Sequence, residues 1–179
     1  MQEGELIENR VITWGEKGFE LYDESGFGKP LEDRLELSLV ESAYLIEKKK
    51  LKVFVKDKKK KKLSLRDFIE YAEKSERNFH ARLIVYSDLR ERGFLVKTGL
   101  KFGCDFRVYE RGVKLKRGPK APHEHTKWVV HAIPEEFSCS FPELSRAVRL
   151  AQNIRTEMIW AIVDSENDVT YYSIKRITP

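Results

Sequence analysis

Apolar residues along this chain change their spacing several times, and each change predicts an element. In SLRDFIEYAEK, Leu65, Phe68, Ile69 and Tyr71 recur at helical spacing behind Ser64, an N-cap candidate. LELSLVESAYLIEKKK, residues 35–50, places Leu39, Ala43 and Ile46 on one face and predicts a second helix. FHARLIVYSDLRER, residues 79–92, predicts a third, closed by Gly93. A fourth follows Pro142, with Leu144, Ala147, Val148, Ala151 and Ile154 on its apolar side. Its other side carries Arg149, Gln152, Asn153 and Thr156, at spacings of three, four and seven. Short apolar runs between these predict strands: LKVFV (51–55), FLVKTG, TKWVVHAI (126–133), MIWAIVD and VTYYSIKRI, with LKFGCDFRVYERG (100–112) as a longer one. RVITWGEKGFELY, residues 10–22, reads as two short strands around a glycine-containing turn, and the lysine run 56–62 as a turn.

This order predicts an α/β (α+β) protein. A small N-terminal α/β domain spans 1–78. Residues 79–179 follow as helix, two strands, loop, strand, helix, two strands, on a mixed central sheet flanked by helices. A chain of 179 residues has room for two such units.

Charge adds a direction. The net charge is only +5, but residues 48–62 hold ten lysines against one aspartate, and residues 101–127 hold eight Lys or Arg against three acids. The first 25 residues are acidic instead. A basic middle favours a polyanionic partner such as nucleic acid, although a lysine run is also what a solvated turn looks like. Cys104 and Cys139 make neither a CxxC nor a disulfide framework. A reducing, cytoplasmic setting is therefore expected. MQEGELIENR has no apolar core of a signal peptide, and no apolar run approaches the ~18 residues that would span a membrane.

Proton-moving residues collect in the second half. Tyr109 ends a strand beside a basic loop, and His123 and His125 end that loop. Histidines 123 and 125, with His131 or Cys139 as a third ligand, could hold a metal, but the spacing lacks the tight pairs of a zinc site. His131 and His80 also fit as core-edge or surface histidines without a task. Tyr109 likewise has an ordinary reading, a packing aromatic whose hydroxyl finds a partner. No glycine-rich phosphate loop and no nucleophile elbow is present.

Taken in order, LSLVESAYLIEKKKLKV, LIVYSDLRERGFLVKTG, GLKFGCDFRVYERG, HTKWVV, FPELSRAVRLAQNIR, IWAIVD and VTYYSIKR resemble the archaeal tRNA-splicing endonucleases. The resemblance implies a C-terminal nuclease-like domain and a metal-independent endoribonuclease without cofactor. It would cut precursor tRNA at a bulge–helix–bulge, leaving 2′,3′-cyclic phosphate and 5′-hydroxyl ends. It also implies a tyrosine, a histidine and a lysine at the cleavage site. The tyrosine falls on Tyr109 and the histidine on His125, with His123 close by. The lysine position is occupied by Thr156, so the lysine is absent.

In that scheme the substrate's own 2′-hydroxyl attacks. Tyr109 accepts its proton once local positive charge lowers a pKa that is near ~10 in model peptides. His125 protonates the leaving oxygen. A cation would steady the charge of the transition state, and Lys127 or Arg155 could stand in for the missing one. Arg149 and Arg176 match two arginines that sandwich a flipped-out bulge base.

The resemblance further implies a dimer through the final strands. Acidic residues of the preceding loop, here Asp164, Glu166 and Asp168, would dock into a basic cleft of an opposite dimer; the same residues also suit a solvated turn. The expected assembly is thus a homodimer or homotetramer, or a heterotetramer with a catalytic paralogue. The absent lysine opens an alternative, a non-catalytic subunit of that assembly, whereas Tyr109, His125, Arg149 and Arg176 favour the enzyme. A general basic RNA-binding protein is the third reading; it predicts salt-sensitive affinity without preference for bulges.

Overall fold

The structure is a computed structural model that describes residues 1–55, 61–99, 103–115 and 125–177. These residues form two compact units, one of residues 1–79 with 114–115, the other of residues 80–113 and 125–177. Both are mixed α/β, as the sequence predicts.

The first unit is a six-stranded sheet with three helices. In chain order it holds β1 (Gln2–Ile7), β2 (Arg10–Trp14), α1 (Glu16–Ser25), β3 (Lys29–Pro30), β4 (Arg34–Ser38), α2 (Leu39–Glu47), β5 (Leu51–Val55), β6 (Lys61–Lys62) and α3 (Leu65–Ser75). The strands lie in the order β3-β4-β2-β1-β5-β6, and only β1 and β5 are parallel among the paired strands described.

Three sequence expectations are corrected in this unit. Residues 16–22 are not a second strand but the start of α1. Gly15 takes φ 76°, a left-handed backbone that turns the chain out of β2, and its carbonyl accepts the Gly18 amide (3.0 Å). The buried pair Gly18 and Tyr22 is spaced by four, a helical signal hidden among charged neighbours. Residues 35–38 are not helical either, because Leu35 and Leu37 pair with Thr13 and Val11 of β2. The helix begins at Leu39, behind a capping box. Ser38 Oγ accepts the Glu41 amide (3.3 Å), and Glu41 Oε2 accepts the Ser38 amide (2.9 Å). The turn expected over 56–62 lies mostly outside the described residues, and its end, Lys61–Lys62, is strand β6. Ser64 does cap α3, accepting the Asp67 amide at 3.1 Å.

The second unit holds α4 (Phe79–Glu91), β7 (Leu95–Thr98), β8 (Phe106–Tyr109), β9 (Trp128–Pro134), α5 (Phe141–Asn153), β10 (Glu157–Val163) and β11 (Val169–Ile174). Its sheet runs β11-β10-β9-β8-β7, with β9 and β10 parallel and the other neighbours antiparallel. The strand expected over 100–112 is only four residues long. Residues 103–105 bend instead, with the Gly99 amide donating to the Asp105 carbonyl (2.8 Å), and residues 100–102 are outside the described set.

Helices cover both faces of this sheet. On one, Val129 and Met158 pack with Ala151 of α5 and Cys104, flanked by Ala147, Leu150, Ile154 and Trp160. On the other, Phe106 meets Tyr86 of α4 with ring centroids 5.6 Å apart. Arg82, also of α4, pairs with Asp105 at 3.1 Å. Both apolar stripes were readable as helical periodicity. The Ser140 cap of α5, whose Oγ accepts the Glu143 amide at 3.4 Å, starts that helix one residue before Pro142.

Candidate functional site

Strand direction decides which residues meet. Because β8 and β9 are antiparallel, β9 and β10 parallel, and β10 and β11 antiparallel, four termini share one end of the sheet. They are the exit of β8 (Tyr109), the approach to β9 (His125 to Lys127), the approach to β10 (Arg155, Thr156) and the exit of β11 (Lys175, Arg176). Helix α5 connects the far end of β9 back to β10, so its C-terminus also lands there. Arg149 lies on its exposed face, four residues (~6 Å of helix rise) before the last helical residue.

Tyr109 sits in β8 opposite Leu95 of β7 and has no exposed surface in the single chain. By strand alternation it shares the face of Arg107, which is in register with Val129 and therefore looks toward α5. His125 is exposed. His123 is outside the described residues.

Lys127 is ion-paired with Glu110, one residue past β8, and its ammonium lies 4.8 Å from the centre of the Trp128 ring. Its amide donates to the Val108 carbonyl (2.9 Å), and its carbonyl accepts the Glu157 amide (3.2 Å). Those two bonds stitch the approach to β9 between β8 and β10.

Thr156 departs from the expected helical face, because α5 ends at Asn153. Ile154 is the C-cap, Arg155 takes a left-handed φ of 54°, and the chain then turns into β10. The Arg155 amide donates to Gln152 (3.0 Å) and the Thr156 amide to Ala151 (2.9 Å). This pair of bonds is a Schellman motif. The Thr156 hydroxyl also donates to the Ala151 carbonyl, at 3.3 Å, so it satisfies the helix end.

Three residues that sequence reasoning passed over complete this end: Glu110, Glu157 and Lys175. Glu157 pairs with Lys175 at 3.0 Å. Hydrogen bonding and charge from Lys175 hold the Glu157 carboxyl below its usual range, with the Trp128 indole and the Lys127 charge assisting. Their positions became meaningful only once strand pairing was known. Glu157 and Lys175 are far apart in sequence, and no periodicity links them.

The loop acids lie at the opposite end of the sheet, between β10 and β11, a strand length of roughly 20 Å away. Asp164 is turned inward: one carboxylate oxygen accepts the amides of Glu166 and Asp168, each at 2.9 Å. Glu166 and Asp168 are exposed. Nearby, His80 Nε2 meets Asn167 Oδ1 at 2.7 Å. His131 is 3.6 Å from Asp105, and among the described residues no three His, Cys, Asp or Glu come together as a metal site.

Comparison with known proteins shows the family. The model of the tRNA intron endonuclease catalytic C-terminal domain matches residues 79–171, and that of the tRNA intron endonuclease N-terminal domain matches residues 2–69. A tRNA-splicing endonuclease of Thermococcus kodakarensis is 43% identical over 155 residues, covering 87% of this chain and 85% of its own. One from Thermococcus onnurineus is 38% identical over 97% of this chain and 95% of its own. One from Methanothermobacter thermautotrophicus is 39% identical over 89% and 87%. The chain belongs to the tRNA intron endonuclease family. No helix among its described residues is long and apolar enough to cross a membrane.

Proposed function

We propose that this chain is a metal-independent endoribonuclease that cleaves precursor tRNA at bulge–helix–bulge motifs, giving 2′,3′-cyclic phosphate and 5′-hydroxyl ends. The observation that carries this reading is the shared sheet end, where the approach to β9 carrying His125 borders the exit of β8 carrying Tyr109 and the end of α5. His125 protonates the leaving 5′-oxygen, and Tyr109 receives the proton of the attacking 2′-hydroxyl. Because Tyr109 is covered in the single chain, the reaction requires RNA binding to uncover its hydroxyl. Arg149 and Arg176, both exposed, stack on an unpaired base. Residues 1–78 and 79–179 act as the two domains, in a homodimer or homotetramer joined through β11 and the loop acids Glu166 and Asp168.

A second reading, a non-catalytic subunit within a heterotetramer, has specific support. Tyr109 is buried, Thr156 is engaged in capping α5, and the Lys127 charge is neutralised by Glu110. One experiment separates the two. The purified chain alone is incubated with a bulge–helix–bulge RNA in EDTA and the ends are mapped. Cyclic phosphate ends at the bulges support the enzyme. An uncut RNA that becomes cut on adding a catalytic paralogue supports the subunit.

A further inference from the structure

The turn that ends α5 contains an arginine in a backbone conformation that arginine disfavours. Arg155 occupies the left-handed position of the Schellman motif, at φ 54°, where glycine is the usual occupant because a Cβ is crowded there. The two bonds that define the motif are made by backbone amides, to Gln152 and Ala151, and would be made equally by glycine. Arg155 is exposed, and among the described residues its guanidinium has no ion-pair partner. The side chain therefore adds nothing visible to the turn it strains. Such backbone clusters at functional sites, but Lys49 closes α2 in the same left-handed motif at φ 56°, so it is the position of Arg155 that gives its side chain a task.

Its surroundings say what for. Two residues on, the Glu157 amide donates to the Lys127 carbonyl, so Arg155 emerges beside the segment carrying His125. Of the neighbouring cations at this sheet end, Lys127 is committed to Glu110 and Lys175 to Glu157, while Arg149 and Arg176 are exposed and assigned to the unpaired base. Thr156 presents no charge, and its hydroxyl faces the helix end. We propose that Arg155 contacts a phosphate of the bound RNA at the linkage that His125 faces, and that its left-handed backbone is the device that aims it. A guanidinium suits this task, being permanently charged and able to make two hydrogen bonds to one phosphate. The proposal rests on the RNA-cleaving reading of the same site.

The test compares the full chain with Arg155→Gly and Arg155→Lys. Affinity for a bulge–helix–bulge RNA is measured over a range of salt, together with thermal unfolding and single-turnover cleavage. Arg155→Gly is expected to unfold at a temperature no lower than the parent, to bind the RNA about tenfold more weakly, and to lower the slope of log K against log salt by about one. Arg155→Lys is expected to keep that slope. Unchanged affinity and slope in Arg155→Gly, with the parent still preferring bulged over plain duplex RNA, would overturn the role of Arg155 alone. A parent with no such preference would overturn the RNA-splicing reading and this inference with it.

Discussion

The Thr156 hydroxyl turns back onto the Ala151 carbonyl, 3.3 Å away, at the sheet end where the approaches to β9 and β10 meet. A position that could hold a charged side chain thus does structural work on the helix instead. Replacing it has two separable effects. Thr156→Lys removes a hydrogen bond worth about 1 kcal/mol and places a cation at the site. Under the proposed function, single-turnover cleavage of bulge–helix–bulge RNA rises on the order of a hundredfold or more, while unfolding temperature drops slightly. No gain in rate would show that missing charge does not limit this chain.

Lys127 and Glu110 form a half-exposed pair, and such pairs contribute little to stability, about 0–1 kcal/mol. Glu110→Gln therefore leaves the unfolding temperature nearly unchanged but releases the Lys127 charge toward a phosphate. RNA affinity is expected to increase, and more so at low salt. Lys127→Ala does the reverse. Equal affinities for both variants in filter binding would exclude Lys127 from the RNA surface.

Arg149 and Arg176 are exposed, so truncating either leaves the fold intact. If they stack on an unpaired base, Arg149→Ala and Arg176→Ala each cost about 1–3 kcal/mol of binding to bulged RNA. Binding to plain duplex falls much less. Arg→Lys at either position restores charge but not the planar stack, and recovers only part of the loss. A uniform loss on both RNAs would point to phosphate contact instead.

Cys104 is buried and Cys139 partly exposed. Burial pushes the Cys104 thiol up to about 12, with Asp105 adding to the shift and Arg107 opposing it. The native chain at pH 8 is expected to alkylate rapidly at one thiol, Cys139, and at two only after unfolding. The sign for stability follows. The folded value lies above that of an unfolded thiol, ~8.5, so this contribution is complete below that pH and is lost as pH rises toward about 12. Cys104→Ala flattens that part of the alkaline unfolding profile.

Glu166 and Asp168 project from the β10–β11 loop, while Asp164 holds its turn together. Reversing the two outer charges, Glu166→Lys with Asp168→Lys, leaves the turn intact and is expected to lower the solution mass measured by light scattering. Asp164→Ala is expected to disturb the loop itself. An unchanged mass in the double variant would remove these acids from any assembly contact.

The order of local signals already contained four of the five helices described, those of residues 39–47, 65–75, 79–91 and 141–153, and most strands, because caps such as Ser64 and stripes such as Val148 and Ala151 act over a single turn. Local signals failed where pairing partners override propensity. Residues 35–38 joined β2 rather than α2, and α1 hid behind a charged surface. By residue type alone Tyr109 reads as packing and Arg149 as a surface charge; they and His125 become candidates only through the resemblance of their motifs to the tRNA-splicing endonucleases. Only the tertiary structure decided that the exits of β8 and β11 meet the approaches to β9 and β10, that Tyr109 is covered, and that Lys127 faces Glu110. Periodicity reports which side of an element is apolar. It carries no information on which distant strand pairs with it, and pairing alone brings charges such as Glu157 and Lys175 within bonding distance.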